Sequence, residues 1–180
     1  MFQYSEEYDF SLDLVKKCGE VIKKAFYSEK KISQKSAPND LVTETDQEVE
    51  KLLITGLRDK FPDSKFIGEE SVAAGSGCVL TEEPTWIIDP IDGTTNFVSS
   101  NPNMCTILGY MVNKEVMFGI VYNPILDQLW TAKKGFGAEH NGKKVRVSSY
   151  TNSMTQTCSS DHCIQLQVSG LRPADPGALV

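Results

Sequence analysis

The most informative segment of this chain is Trp86-Ile87-Ile88-Asp89-Pro90-Ile91-Asp92-Gly93-Thr94-Thr95-Asn96-Phe97. Its apolar beginning predicts a buried strand, and Asp89 and Asp92 lie three residues apart at the end of that strand. A Gly-Thr-Thr turn follows directly. Carboxylate oxygens can hold a divalent cation, and backbone N–H groups just beyond them can receive an anion. Because Asp, Pro, Gly and Thr also form ordinary turns, a plain loop is the alternative interpretation.

The length and composition indicate one globular domain. A chain of 180 residues is long enough for one domain with a core and too short to favour two large ones. Hydrophobic residues make up 40% of the chain and charged residues 23%, which argues against a disordered or fibrous protein. The net charge of −6 gives no general attraction for nucleic acid or an anionic membrane, so neither is an expected partner. An acidic chain that handles phosphate would need a cation.

The cysteines and the N-terminal residues favour a cytoplasmic protein. The first residues are acidic and lack the basic and apolar regions of a secretory signal, and no apolar run reaches membrane-spanning length. Five scattered cysteines, an odd number without a C-x-x-C pair, fit reduced thiols better than a disulfide framework. Cys158, His162 and Cys163 match no common zinc spacing, so we expect no soft-metal site there.

Two amphipathic helices are predicted in the first third of the chain. Apolar residues recur every three or four positions from about residue 6 to 26, and again from about 45 to 61, where Pro62 ends the pattern. In the second helix Thr45 and Glu48 have the spacing of a capping box. The apolar face is expected to contain Val49, Leu52, Leu53 and Leu57. The polar segment 31–40 between the helices is predicted to be a loop.

Strands are predicted for most of the chain after Pro62. They cover residues 65–68, 85–89, 106–112, 115–122, 128–133, 137–140 and 144–147. Asn113-Lys114 and Asn141-Gly142 are expected to turn two hairpins. Helices followed by a mostly antiparallel sheet predict an α+β fold. Residues 150–180 carry few charges and many Ser, Thr, Gln, Gly and Pro residues, so we expect a poorly ordered tail beyond a 1–149 domain.

A second acidic strand end strengthens the interpretation of the first. Gly68-Glu69-Glu70-Ser71 follows one predicted strand as Asp89 and Asp92 follow another, and neighbouring strands would bring the carboxylates of Glu69, Asp89 and Asp92 together. Clustered carboxylates repel one another unless a cation lies among them. Mg²⁺ is the expected cation because it accepts carboxylates together with water and phosphate oxygens. Pro90 restricts the backbone, which could direct the Ile91 carbonyl at the same cation.

These motifs together resemble the inositol monophosphatase family of Mg²⁺-dependent phosphomonoesterases. The resemblance covers about residues 6 to 149, and four segments carry it: residues 86–97, Gly68-Glu69-Glu70-Ser71, Asp40-Leu41-Val42-Thr43-Glu44-Thr45-Asp46, and the glycine-rich hairpin from Gly135 to Gly142. It implies a layered αβαβα fold, of which the N-terminal layers are expected here. It also implies a homodimer, lithium sensitivity and inositol monophosphate as the substrate.

The resemblance also implies a role for each matching residue. Glu69, Asp89, Asp92 and the Ile91 carbonyl would bind metal. Glu69, Ile91, Asp92, Gly93 and Thr94 would contact the substrate. Glu69 and Thr94 would orient the attacking water, with Asp46 hydrogen-bonded to Thr94. Lys35 matches a position near a more weakly held metal. From the residues alone, Asp46 could instead serve the helix N-terminus and Lys35 could be a solvated loop charge.

The chain also departs from the family pattern. The family has a second signature, Trp-Asp followed by small residues, whose aspartate completes the inner metal site; here Trp130 is followed by Thr131. Ser99-Ser100-Asn101-Pro102-Asn103 lacks the His and aromatic residue usual around that proline. We therefore expect reduced turnover. A non-catalytic fragment that binds metal weakly or pairs with a full-length subunit, and a related sugar-phosphate phosphatase, remain alternatives.

Overall fold

The computed structural model describes residues 1–28, 32–34, 41–75, 77 and 79–147 of the 180-residue chain. Two long helices come first in these residues, and a seven-stranded sheet follows them. The predicted α+β class is confirmed. Lys35, Cys158, His162, Cys163 and the predicted 150–180 tail lie outside the described residues, so the predictions for them are not tested by this structure.

The helices lie close to their predicted positions. Helix α1 spans Ser5–Phe26 and buries Val15, Cys18 and Ile22, which recur at the spacing of one helical face. Helix α2 spans Glu44–Lys60 and ends at Phe61, directly before Pro62. Acidic residues in the first turn and basic residues in the last turn of both helices favour the helix dipole.

Three details of the first third of the chain differ from the prediction. The capping box of α2 is formed by Thr43 and Asp46, two residues before the predicted Thr45 and Glu48. Leu52 is 41% exposed, because it lies one position out of phase with the buried stripe of Val49, Leu53 and Leu57. The 31–40 segment is not entirely loop, since β1 (Ile32–Gln34) pairs antiparallel with β2 (Leu41–Thr43).

The main sheet contains seven strands in sequence order. They are β3 (Lys65–Gly68), β4 (Thr85–Asp92), β5 (Cys105–Val112), β6 (Glu115–Asn123), β7 (Gln128–Lys133), β8 (Gly137–His140) and β9 (Lys143–Val145). Only β3 and β4 are parallel; the other neighbours are antiparallel. Strand β4 continues three residues beyond the predicted end at Asp89. Two short helices, α3 (Glu69–Ala73) and α4 (Thr94–Val98), follow β3 and β4 respectively.

Both predicted hairpins are confirmed. Asn113 and Lys114 have φ values of 53° and 63°, and Asn141 and Gly142 have 47° and 74°. Two successive residues with positive φ make the tight turn whose twist matches that of the flanking strands.

The core lies between the two long helices and one face of the sheet. Its largest fully buried side chains include Trp86, Phe97 and Phe118. Trp86 packs against three aromatic rings, with ring centroids 5.7 Å from Phe61, 4.4 Å from Tyr110 and 5.8 Å from Phe118. This packing holds β4, the strand that carries Asp89 and Asp92.

Among the described residues, no helix is both long enough and apolar enough to span a bilayer.

Candidate functional site

The parallel pair β3 and β4 places two acidic strand ends side by side. Gly68, the last residue of β3, is in register with Ile88 in β4. The next residue along each strand is therefore acidic, Glu69 after β3 and Asp89 within β4. The expected pairing of these two strands is confirmed. It brings together carboxylates that lie 20 residues apart in the sequence.

Asp89 shows how strongly these carboxylates interact. Its pKa is raised to about 8, chiefly by burial, then by the charge of Glu69 and a hydrogen bond with the Glu69 side chain, and further by the charges of Asp92 and Asp46. Asp89 Oδ1 is buried and has no hydrogen-bond partner among the described residues. An ionised Asp89 is therefore costly in this environment unless a positive charge lies close to it.

These observations fit a hard cation such as Mg²⁺. A cation would offset the repulsion between Asp89, Glu69 and Asp92 and would give Asp89 Oδ1 a partner. Within the residues that the structure describes, no three His, Cys, Asp or Glu side chains are placed so that they could hold one metal ion together. A bound ion would therefore need further oxygen donors, such as the Ile91 carbonyl, water or a phosphate.

A bulge in β4 separates the two aspartates. Asp89 pairs with Ile107 and Asp92 with Cys105, so β4 has one more residue than β5 between these pairs. The buried Thr106 hydroxyl donates a hydrogen bond of 2.8 Å to the Pro90 carbonyl within this bulge. Thr106 was not anticipated from the sequence. It holds the backbone between the two carboxylates.

Replacement of Thr106 by valine is expected to lower the free energy of unfolding by about 1–2 kcal/mol, because the Pro90 carbonyl loses its hydroxyl donor in a buried position while the side-chain volume is kept. Urea denaturation measures this change. The matched control is Thr55→Val on the exposed face of α2, which should stay within about 0.5 kcal/mol of the unaltered chain. Equal stabilities of the two variants would contradict a role for Thr106 in holding the bulge.

Asp46 links the start of α2 to the turn after β4. Its Oδ1 accepts a 3.1 Å hydrogen bond from the Thr94 hydroxyl, and its Oδ2 accepts bonds from the Thr43 backbone N–H, at 2.9 Å, and from the Thr43 hydroxyl. Asp46 therefore has both of the roles considered for it, the helix cap and the Thr94 partner. Burial raises its pKa, although the hydrogen bonds from Thr43 and Thr94 lower it.

Thr94 lies between two oxygen acceptors. Its hydroxyl is 3.1 Å from Asp46 Oδ1 and also 3.1 Å from the Ile91 carbonyl oxygen. A hydroxyl has one proton to donate and lone pairs that can accept one. When that proton goes to Asp46, the Thr94 oxygen remains able to accept a hydrogen bond from a water molecule.

The turn at Gly93 requires glycine. Gly93 has a φ of 87°, and a Cβ at this position would lie 3.2 Å from the Asn103 carbonyl oxygen. Helix α4 begins directly afterwards at Thr94, where helical N–H groups lack acceptors within the helix. Cys105 lies beside this turn, with its Sγ 3.8 Å from Asp92 Oδ2. The described geometry thus places carboxylates and main-chain donors next to each other.

The segment that departs from the family pattern is held by asparagines. Asn96 Nδ2 donates to the Asn103 carbonyl at 2.6 Å, and Asn123 Nδ2 donates to the Pro102 carbonyl at 2.8 Å. Phe97 is fully buried in the core behind Thr94. The short helix therefore packs firmly without the His and aromatic residue that the resemblance led us to look for.

A further residue that the sequence interpretation missed is Glu50. It is on the buried face of α2, one turn after Asp46, and is only 5% exposed. A charged residue in phase with Val49 and Leu53 on an amphipathic helix was the signal that could have identified it, because such a residue needs partners inside the fold.

Comparison with known proteins identifies the family. The model of the inositol monophosphatase family matches residues 3–173, a wider range than the 6–149 over which the sequence motifs carry the resemblance. The chain belongs to the inositol monophosphatase family. The bovine protein named inositol monophosphatase 1 is 52% identical over 145 residues, which cover 81% of this chain and 52% of that relative. The chain thus spans about half the length of the curated relatives it matches.

Solved structures of the inositol monophosphatase family have the same fold. The Thermotoga maritima IMPase matches with a TM-score of 0.72 and 36% identity over 80% of this chain and 54% of its own. An IMPase/NADP phosphatase complexed with Mg²⁺ and phosphate matches with a TM-score of 0.69 and 30% identity, over 78% of this chain and 52% of its own. Both comparisons support the inositol monophosphatase fold for the described residues.

Proposed function

We propose that this chain is a Mg²⁺-dependent phosphomonoesterase that hydrolyses inositol monophosphate to inositol and phosphate. The observation that carries the proposal is the buried Asp89, whose pKa is raised by its burial and by three neighbouring carboxylates and whose Oδ1 has no partner among the described residues. The relatives named inositol monophosphatase and the neighbour complexed with Mg²⁺ and phosphate support the same chemistry.

The metal ligands in this proposal are Glu69, Asp89, Asp92 and the Ile91 carbonyl. When bound there, Mg²⁺ would lower the pKa of a coordinated water and offset negative charge on the phosphate. The chain's own contribution is to hold these oxygens in position. The paired strands align Glu69 with Asp89, and the bulge between Asp89 and Asp92, held by Thr106, sets the orientation of the Ile91 peptide.

The residues of the turn would bind and orient the reactants. Backbone N–H groups at Gly93 and Thr94 would bind phosphate oxygens, and the Asp92 side chain would contact the same group. The Thr94 hydroxyl donates to Asp46 and can accept a hydrogen bond from the attacking water, which Glu69 would also orient. With the Ile91 carbonyl bound to the metal, Asp46 would be the acceptor towards which Thr94 donates. Holding the water and the phosphate in this geometry lowers the entropic cost of attack.

The test is phosphate release from inositol 1-phosphate by the purified chain, with Mg²⁺ and with EDTA in its place. We expect release only with Mg²⁺, and slower than by a full-length relative, because the chain spans about half of such relatives. No release by a chain whose circular dichroism shows it folded would overturn the proposal. A panel that includes NADP and simple sugar phosphates checks the substrate class, since preference for one of these would replace inositol monophosphate in the proposal.

A further inference from the structure

Helix α3 starts at the candidate metal ligand Glu69 without a cap of its own. Its N-cap residue is Gly68, which has no side chain to accept a hydrogen bond. The N–H groups at the second and third positions of a helix are those that an N-cap side chain normally satisfies. In α3 these groups belong to Glu70 and Ser71. Their acceptor must come from elsewhere in the fold.

Glu50 on helix α2 supplies that acceptor. Its Oε2 accepts from the Glu70 N–H at 2.7 Å, and its Oε1 accepts from the Ser71 N–H at 3.0 Å and also from the Ser71 hydroxyl. One carboxylate thus occupies the capping position of a helix that begins about 20 residues later in the chain. Hydrogen bonds to an ionised acceptor are stronger than neutral ones, and a negative charge at a helix N-terminus is favourable.

The close approach of Glu50 explains Gly68. A Cβ at Gly68 would lie 2.5 Å from Glu50 Cδ, 2.5 Å from Oε2 and 2.8 Å from Oε1. Gly68 has a φ of −108°, which any residue can adopt, so the backbone conformation does not demand glycine. Glycine is needed at this position because the carboxylate of Glu50 occupies the space of a side chain.

We propose that Glu50 is a positioning residue for the cation site, holding the first turn of α3 so that Glu69 stays beside Asp89. The inference rests on the proposed function, in which Glu69 is a metal ligand. Glu69 lies between Gly68, which is fixed in register with Ile88, and Glu70, whose N–H is bound to Glu50. Residues that hold metal ligands in place typically change metal affinity 10- to 100-fold when they are altered.

The first test is Glu50→Gln, which keeps the size of the side chain and leaves one oxygen to serve two N–H groups. We expect Mg²⁺ affinity, measured by titration calorimetry with Mg²⁺ alone, to fall about 10- to 100-fold. Hydrogen exchange at the Glu70 and Ser71 amides should be at least about tenfold faster, with exchange at Leu53 in the middle of α2 nearly unchanged. Faster exchange at Leu53 to the same extent would indicate general destabilisation, and would overturn a local positioning role.

The matched control is Glu48→Gln, which makes the same chemical change on the exposed face of the same helix. It should leave Mg²⁺ affinity and the exchange of all three amides as in the unaltered chain. Equal loss of Mg²⁺ affinity in both variants would show that only net charge matters, and would contradict the inference.

A second variant, Gly68→Ala, tests the same contact from the other side. Its Cβ displaces the Glu50 carboxylate without removing it, so we expect faster exchange at Glu70 and Ser71 and weaker Mg²⁺ binding again. This variant decides the question if Glu50→Gln does not fold. Unaltered Mg²⁺ affinity and amide exchange in the folded variants would overturn the inference.

The two proposals fail in distinguishable ways. If the unaltered chain binds no Mg²⁺ in the calorimeter, the proposed function fails. The exchange rates at Glu70 and Ser71, measured without metal, then decide whether Glu50 holds this turn. If the unaltered chain binds Mg²⁺ and both Glu50→Gln and Gly68→Ala bind it equally well, the proposed function stands and the positioning role fails.

Discussion

Replacement of Asp92 by asparagine is expected to abolish Mg²⁺-dependent phosphate release and to lower Mg²⁺ affinity at least about tenfold. The substitution removes one of the proposed carboxylate ligands and a negative charge that raises the pKa of Asp89. Because this charge repels Asp89 only when Asp89 is ionised, and the pKa of Asp89 is raised to about 8, the metal-free variant should unfold at a slightly higher temperature than the unaltered chain at about pH 9, with a smaller difference at about pH 7. Malachite-green detection of phosphate, titration calorimetry and differential scanning fluorimetry measure the three quantities.

The control for this prediction is Asp13→Asn on the exposed face of α1. It makes the same chemical change far along the sequence from the acidic strand ends, and should leave phosphate release and Mg²⁺ affinity unchanged. A lower thermal midpoint for metal-free Asp92→Asn would contradict the repulsion inferred from Asp89. Undiminished turnover by Asp92→Asn would remove Asp92 from the proposed mechanism. A variant that is more stable without metal but binds Mg²⁺ more weakly is expected when the metal ligands repel one another in the metal-free protein.

The elements that could be predicted from sequence are those whose signals are local. The spacing of Cys18, Ile22 and Phe26 shows one helical face, and Asn141-Gly142 shows a hairpin, because both depend on neighbouring residues alone. Strands β1 and β2 were missed because each has three residues and depends on pairing with the other across the 31–40 segment. Long-range pairing leaves little trace in such short segments.

The capping box was misplaced for a chemical reason. Thr45 with Glu48 fits the usual Ser/Thr-x-x-Glu pattern better than Thr43 with Asp46, since a glutamate side chain normally reaches back to the N-cap. In the structure Asp46 makes this contact and also accepts a hydrogen bond from Thr94, 48 residues away. The tertiary contact favours Asp46 at this position, and a local motif cannot reveal that.

In the candidate site, too, sequence predicted the features with a local signal and missed those that depend on long-range contacts. The convergence of Glu69 with Asp89 follows from two acidic strand ends and the tendency of successive strands to be neighbours. The residues that hold Glu69 and Asp89 in place were not predicted from the sequence. Glu50 caps a helix from another element, and Thr106 bonds a carbonyl in the adjacent strand. Both act through partners 16 or more residues away, so neither forms a recognisable sequence pattern.

The second large effect is expected from Trp86→Ala, which should lower the free energy of unfolding by about 3–5 kcal/mol. The Trp86 side chain is fully buried and its ring contacts those of Phe61, Tyr110 and Phe118. Removing it leaves a cavity beneath β4. Since domains of this size are stable by about 5–15 kcal/mol, the loss is a large share of the total, and urea denaturation followed by circular dichroism measures it.

Two further substitutions distinguish packing from other causes. Ile87→Ala changes the next residue of β4, which faces the opposite side of the sheet and is 37% exposed, so it should cost no more than about 1 kcal/mol. Trp86→Phe keeps most of the ring volume and removes Nε1, a buried group with no hydrogen-bond partner among the described residues. Its cost should therefore be well below that of Trp86→Ala. If Trp86→Phe were as destabilising as Trp86→Ala, the indole N–H would have to be bonded in solution, and cavity formation would not explain the effect. A small loss in Trp86→Phe beside a large one in Trp86→Ala would show that ring packing holds the strand from which Asp89 and Asp92 project.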